Sequence, residues 1–137
     1  MKKLTGAPLA ILAIFVTWTL LDFVIHGLVL GRYYKALMPL IRPPQDMSLW
    51  LLNALMLLMD LVFVGLFYYL NERREKKQAL VYGLVMGLLM GFVIGWGTWT
   101  VIPIPNYMAW VWFLGTWGEF LVAGGILALT LPKKPTT

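Results

Sequence analysis

Four long apolar runs make up most of the sequence, at residues 7–30, 48–70, 79–101 and 107–131. An α-helix of about 20 apolar residues, rising about 1.5 Å per residue, is long enough to cross the hydrocarbon core of a bilayer. Every run exceeds that length, and the segments between the runs are short. The sequence therefore predicts an all-α polytopic membrane protein, a bundle of four transmembrane helices in which residues 1–137 form a single transmembrane domain.

The composition agrees with a chain whose surface faces lipid. Hydrophobic residues make up 61% of it and charged residues 12%, whereas a soluble domain carries about 25% charged residues. A basic start followed by an apolar run resembles a signal peptide, but this run is too long and three more follow, so a retained first helix is expected. Cysteine is absent, which excludes disulfides, thiolate metal sites and cysteine nucleophiles.

Basic residues predict the orientation of the bundle, because Lys and Arg near span ends are retained on the cytoplasmic side. Eight basic residues lie on one side of the runs and three on the other. The larger set is Lys2, Lys3, Arg73, Arg74, Lys76, Lys77, Lys133 and Lys134, and the smaller set is Arg32, Lys35 and Arg42. We therefore expect both termini and the basic loop 71–78 in the cytoplasm, and contact with anionic membrane lipids there. No folded basic module remains that could bind nucleic acid.

The predicted outer loop, residues 31–47, combines aromatic and aliphatic side chains with three cations. This composition is typical of a segment that lies along the lipid headgroups, with its apolar groups down and its cations up. Pro39, Pro43 and Pro44 prevent a long helix there. We expect an interfacial connector, and the alternative is a lid over an outward-facing cavity.

The third run carries four glycines at a strict spacing of four residues, Gly83, Gly87, Gly91 and Gly95. On a helix this spacing places them along one stripe, where another backbone can approach closely and pack by van der Waals contact. The fourth run, which is also rich in glycine, is the expected partner. The alternative is the same helix of a second copy, which would make a homodimer.

Three acidic side chains, the sole imidazole and one carboxamide fall inside the predicted spans and are the candidate site residues: Asp22, His26, Asn53, Asp60 and Glu119. Counted from the outer span ends, His26 and Asn53 lie roughly 6–8 Å deep, Asp22 about 12 Å, and the other two acids about 18 Å. Spacings of four and seven residues place Asp22 with His26, and Asn53 with Asp60, on shared helix faces. We expect a polar track that faces protein and reaches the middle of the membrane.

Two interpretations of this track remain open. In the first, the acids hold or pass a proton or cation, with Asp60 and Glu119 as the central site and Asp22 with His26 as the outer access. In the second, they are neutral or hydrogen-bonded groups that fix helix register. The sequence favours the second, and hence a non-enzymatic accessory or assembly subunit of a membrane complex; the alternative is a small proton- or cation-coupled transporter.

A short internal repeat accompanies the polar residues. The segment 23–27, Phe-Val-Ile-His-Gly, is similar to the segment 92–96, Phe-Val-Ile-Gly-Trp. Asp60 precedes Gly65 as Glu119 precedes Gly124. The pattern indicates two copies of a two-helix unit related by an axis along the membrane normal, as in parallel-repeat transporters.

No cofactor, metal or enzyme class is expected. His26 is the sole histidine, whereas a transition-metal site without thiolates normally needs two or more imidazoles. A haem at His26, with a methionine or a second copy's imidazole as the other ligand, is the alternative to a histidine bonded to Asp22. The sequence also contains no nucleophile elbow, phosphate loop or zinc-protease helix.

Three short segments carry a resemblance to known proteins: Leu-Asp-Phe-Val-Ile-His-Gly at 21–27, Pro-Ile-Pro at 103–105, and Glu119 with the glycine pair at 124–125. In these segments the chain resembles a group of small uncharacterised four-span bacterial inner-membrane proteins. The resemblance covers most of the chain. It implies the four-span architecture and a bacterial inner-membrane location, without an activity.

Overall fold

The computed structural model describes residues 6–37, 40, 42–73 and 75–132, and these are all helix, turn or irregular backbone, without a strand. Four helices are long and apolar enough to cross a membrane. They are α1 (Ala7–Val29), α3 (Leu49–Leu70), α4 (Lys76–Val101) and α5 (Asn106–Thr130). A short helix, α2 (Gly31–Ala36), follows α1, and a single 3₁₀ turn occupies Pro44–Asp46. The basic residues Lys2, Lys3, Arg74, Lys133 and Lys134, and also Pro39, lie outside the described residues.

The observed spans agree with the four apolar runs, and the largest difference is at the start of α4. This helix begins at Lys76, where the apolar run suggests residue 79. A capping box explains the early start: the Gln78 side chain accepts a hydrogen bond from the Glu75 backbone N–H at 3.0 Å, and the Glu75 side chain accepts one from the Gln78 backbone. These two bonds satisfy backbone donors that the first turn of a helix otherwise leaves unpaired.

The four long helices pack as a bundle in which α4 lies along α5, while α1 packs against both α5 and α3. Aromatic side chains join α3 and α4. The Tyr82 hydroxyl of α4 donates to the Phe63 carbonyl of α3 at 3.0 Å, and the Tyr82 ring lies 4.7 Å from the Phe63 ring. Lipid supplies no hydrophobic drive between helices, so close packing and such interhelical hydrogen bonds are what hold the bundle together.

The four glycines of α4 are all buried against α5. A β-carbon added at Gly83 would lie 2.5 Å from the Phe120 carbonyl oxygen and 2.8 Å from Cα of Gly124. One added at Gly95 would lie 2.5 Å from the Ala109 carbonyl oxygen. The two backbones are therefore too close for any larger residue at these positions.

The glycines of α5 are not equivalent to one another. Gly124 faces Gly83, because a β-carbon added at Gly124 would lie 3.1 Å from Cα of Gly83. Gly115 faces Ile25 of α1, whereas Gly118 and Gly125 have no neighbouring heavy atom within 4 Å of their β-carbon positions. Of the glycines in the fourth run, Gly124 is thus the one that forms the close backbone approach with α4.

Both α1 and α4 widen into π-helix at corresponding points. The α-helical part of α1 ends at Asp22 and π-helix covers Phe23–Val29, while in α4 the α-helical part ends at Gly91 and π-helix covers Phe92–Gly97. Each α-helical part is 16 residues long. The widened segments coincide with the Phe-Val-Ile segments of the internal repeat, so these similar sequences share a local conformation. Such widened turns are frequent at functional sites.

We call the end of the bundle that carries α2 and residues 102–105 the α2 end, and the opposite end, with residues 71–75, the loop end. At the α2 end a small cluster of buried Leu30, Ile104 and Met108 is covered by Tyr33, Tyr34 and their neighbours. The Tyr33 ring lies 4.7 Å from the Tyr107 ring. The residues after α1 therefore fold back onto the end of the bundle.

Candidate functional site

A cavity of about 290 Å³ lies among the four long helices, in the half of the bundle nearer the α2 end. Asp22 and His26 of α1 and Glu119 of α5 line it together. Its remaining wall is largely apolar, and includes Met56 and Met59 of α3. A polar cluster in an otherwise apolar cavity is the usual form of a small-ligand or ion site.

Asp22 and His26 form the side-chain pair that their spacing of four residues predicts. The Asp22 Oδ1 atom lies 3.5 Å from His26 Nε2, and the two side chains are 35% and 45% exposed. Both side chains line the cavity and both are partly accessible. The backbone geometry that presents them changes between the two residues, because the π-helix begins at Phe23.

A hydrogen-bonded chain connects His26 to α2 and α5. The Trp112 indole Nε1 donates to the Tyr34 hydroxyl at 2.8 Å, and that hydroxyl lies 2.5 Å from His26 Nδ1. Indole is a donor only, so the Tyr34 oxygen accepts from Trp112 and its hydrogen is available for His26 Nδ1. In the neutral imidazole the other ring proton then sits on Nε2, facing Asp22.

Glu119 is the third ionisable group of the cavity, and it comes from a different helix. Its Oε1 atom is buried and accepts no hydrogen bond from the described part of the chain. Its backbone carbonyl, by contrast, accepts a hydrogen bond from the Trp18 indole at 2.8 Å. The backbone of α5 is thus anchored to α1 at this residue, while one carboxyl oxygen is buried without a hydrogen-bond partner in the described chain.

Asp60 lies apart from the cavity. It is fully buried at the start of the packed face of α3, followed on that face by Phe63, Val64 and Phe67. Neither carboxyl oxygen has a hydrogen-bond partner among the described residues. The neighbouring Met59 lines the cavity, whereas Asp60 itself points into the core. The sequence grouped Asp60 with Glu119 as one central site. In the structure Glu119 lines the cavity and Asp60 does not.

Asn53 is placed differently from the prediction as well. Its side chain is exposed, does not line the cavity, and donates to the Leu49 carbonyl of its own helix at 2.7 Å. The expectation that every polar group of the spans faces protein is wrong for this residue. The structure thus brings together Asp22, His26 and Glu119, and leaves Asn53 and Asp60 outside the group.

Tyr34 and Trp112 are site residues that the polar-residue pattern did not identify. Both look like ordinary interfacial aromatics in the sequence. Tyr34 lies beyond the end of α1, and its contact with His26 depends on how α2 folds back. Tyr34 bridges His26 and Trp112, two side chains that line the cavity.

The Tyr34 hydroxyl also predicts a pH dependence of stability. Burial raises the pKa of Tyr34 to about 12, while the Trp112 hydrogen bond lowers it and the Asp22 charge adds to the rise. Because the pKa is higher in the folded protein than the usual value of about 10, this contribution is present below pH 10 and lost as the pH rises toward 12. We expect Tyr34→Phe to lose less stability than the wild type as the pH rises from 10 toward 12. At pH 7 the same substitution should lower stability by about 0.5–1.5 kcal/mol per lost hydrogen bond.

Thermal unfolding in detergent between pH 7 and pH 12 tests this expectation. Tyr69→Phe is the matched control, since Tyr69 is 82% exposed and far along α3. Equal curves for the two variants would contradict the assigned role of the Tyr34 hydroxyl.

The described part of the chain holds no group of three or more His, Asp or Glu side chains placed to bind a metal ion. The cavity offers two carboxyl groups and one imidazole, which are groups that can take up and release a proton. No family model matches the chain, and neither the curated proteins nor the solved structures contain a match to it.

Proposed function

We propose that the chain is a small proton- or cation-coupled carrier, whose cavity takes up its ion through the α2 end. The observation that carries this proposal is that Glu119 of α5 shares one cavity with the Asp22–His26 pair of α1 while keeping a buried oxygen unpaired within the described chain. An acid held in this way at membrane depth is a functional-site candidate by its cost alone. No enzymatic step and no cofactor is part of the proposal.

The distribution of interhelical hydrogen bonds supports a carrier over internal glue. The Trp18 indole joins α1 to α5, and the Tyr82 hydroxyl joins α4 to α3. Neither bond uses a carboxyl group. If the acids served to fix helix register, they would be expected to make such bonds themselves. Trp18 and Tyr82 make these interhelical hydrogen bonds, so the acids of the cavity remain available to bind an ion.

The path of the ion follows from the order of the polar groups. Tyr34 lies at the α2 end, His26 and Asp22 follow one turn apart, and Glu119 lines the same cavity. A proton on the imidazole or on either carboxyl group, or a cation between the carboxylates, would reduce the repulsion between two acids in a medium of low dielectric constant. The widened turns of α1 and α4 border the cavity through Ile25 and Ile94 and are the natural points for it to open.

The proposed setting is the bacterial inner membrane, with the α2 end outside and both termini in the cytoplasm. The positive-inside rule supports this orientation. Eight basic residues of the sequence belong to the cytoplasmic side of this topology, and three, Arg32, Lys35 and Arg42, belong to the other. The ion would then enter from outside the cell.

Ion flux into vesicles tests the proposal. We expect the wild-type protein in liposomes to dissipate an imposed gradient of protons, Na⁺ or K⁺, and Glu119→Gln and Asp22→Asn to reduce that flux to the level of protein-free vesicles. Asp46→Asn is the matched control, because Asp46 is an exposed carboxylate outside the spans. Circular dichroism must show equal helix content in all variants. Flux that persists in Glu119→Gln, or no flux in the wild type, would overturn the proposal.

An accessory or assembly subunit is the second candidate, and it is favoured by the first half of α3. Residues 49–55 of this helix are all exposed, and they include the Asn53 amide. A polar amide facing hydrocarbon is better satisfied by a neighbouring helix, from a partner or a second copy of this chain. This candidate would be established instead by two results together. The wild type would show no ion flux, and it would co-purify in mild detergent with a stoichiometric partner that Asn53→Leu no longer retains.

A further inference from the structure

A second hollow lies at the opposite end of the molecule, between the last turn of α3 and the first turns of α4. Its volume is about 430 Å³. Lys77 and Gln78 line it beside the loop end, and Val81 and Val85 line it farther along α4. The groove shares no residue with the cavity that holds Glu119.

The groove is open because α4 packs elsewhere. Its glycine stripe lies against α5, so the side of α4 that faces α3 carries residues larger than glycine. Tyr82 also lines the groove, and its ring lies 5.6 Å from the Phe67 ring while its hydroxyl donates to the Phe63 carbonyl. An aromatic side chain that is fixed to α3 therefore forms part of the groove wall.

The charge of the groove changes with depth. Lys77 is the charged side chain among its lining residues, and the exposed Lys76 and Arg73 lie nearby in the sequence. The Glu75 side chain is engaged in capping α4, and neither it nor Glu72 lines the groove. Val85 is eight residues beyond Lys77, which corresponds to about 12 Å of helix. The cationic mouth therefore leads directly onto an apolar wall.

We propose that this groove is a binding site for one anionic phospholipid, with the phosphate on Lys77 and an acyl chain along Val81 and Val85. A cation at the headgroup level above apolar side chains at acyl-chain depth matches the two parts of such a lipid. A zwitterionic lipid fits the apolar wall equally well but lacks the net charge that Lys77 selects. The site is independent of the ion cavity, and does not depend on the proposed carrier function.

Native mass spectrometry of the full chain in detergent micelles tests the site. Phosphatidylglycerol and phosphatidylcholine with identical acyl chains are titrated in parallel. We expect the wild type to bind phosphatidylglycerol more tightly than phosphatidylcholine. Lys77→Gln should lower the affinity for phosphatidylglycerol by about fivefold. Lys76→Gln removes the same charge one residue away but outside the groove, and should change binding by less than about twofold. Equal losses in the two variants, or no preference in the wild type, would overturn the proposal.

A second variant tests the apolar part of the site without altering any charge. Val81→Trp fills the groove and should reduce retention of both lipids, whereas Val62→Trp, at an exposed position of α3 outside the groove, should not. Unchanged retention in Val81→Trp would place the lipid elsewhere on the surface.

Discussion

Replacing Gly83 by alanine is expected to lower the melting temperature of the protein in detergent by roughly 5–15 °C. The added β-carbon would meet the Phe120 carbonyl oxygen and Cα of Gly124 at 2.5 and 2.8 Å. Both are backbone atoms, which cannot move aside as the end of a flexible side chain can. Accommodation therefore requires α4 and α5 to separate along their length, with loss of packing on both sides.

Glycines elsewhere in the bundle supply matched controls for this substitution. Gly118→Ala and Gly125→Ala add the same methyl group to α5 at positions with no heavy atom within 4 Å. Since alanine is the better helix former by about 1 kcal/mol, both should leave stability unchanged or raise it slightly. Gly95→Ala should behave like Gly83→Ala, because its β-carbon meets the Ala109 carbonyl oxygen. A stable Gly83→Ala protein with unchanged helix packing would contradict the close approach of α4 and α5.

The contrast between Gly83 and Gly118 also marks how far the fold follows from the sequence. The strict spacing of the four glycines in α4 predicts a stripe, and hydropathy predicts the four spans to within three residues. Both depend on local periodicity alone. Which glycines of α5 meet that stripe depends on the rotation of α5 about its axis. Tertiary packing sets that rotation, and spacing does not encode it.

The candidate site also has one part that the spacing predicts and other parts that depend on how the helices pack. The Asp22–His26 pair follows from a spacing of four residues on one helix. The approach of Glu119 to that pair requires the relative placement of α1 and α5, and the Tyr34 contact requires the fold of the segment after α1. Counting depth along separate helices places Asp60 and Glu119 at one level, but it does not distinguish a core-facing side chain from a cavity-facing one.

The widened turns lie between these two cases. The similarity of residues 23–25 to residues 92–94 is visible in the sequence, and both segments become π-helix. The sequence similarity predicts that the two segments share a conformation, but not which conformation. A π-turn depends on a balance of backbone hydrogen bonding and packing, for which Phe-Val-Ile has no specific preference.

Asp60→Leu is expected to stabilise the bundle by roughly 2–3 kcal/mol, because a buried polar group without a hydrogen-bond partner costs up to about that amount. Leucine branches at the same carbon as aspartate and fills a similar shape. The change removes two buried oxygens that have no hydrogen-bond partner in the described chain. A rise in melting temperature of roughly 5–10 °C should result.

Asp60→Asn provides the comparison, because the amide keeps the polarity and size of the side chain but loses the acid. It should give little of the gain shown by the leucine variant, since a buried amide also needs partners. Ion flux through Asp60→Leu should remain at the wild-type level, because the ion cavity is lined by Asp22, His26 and Glu119 and not by Asp60. A leucine variant that unfolds would assign Asp60 to a polar contact that holds α3 in place. A leucine variant that is stable but has lost its flux would extend the ion path from the cavity into the core of α3.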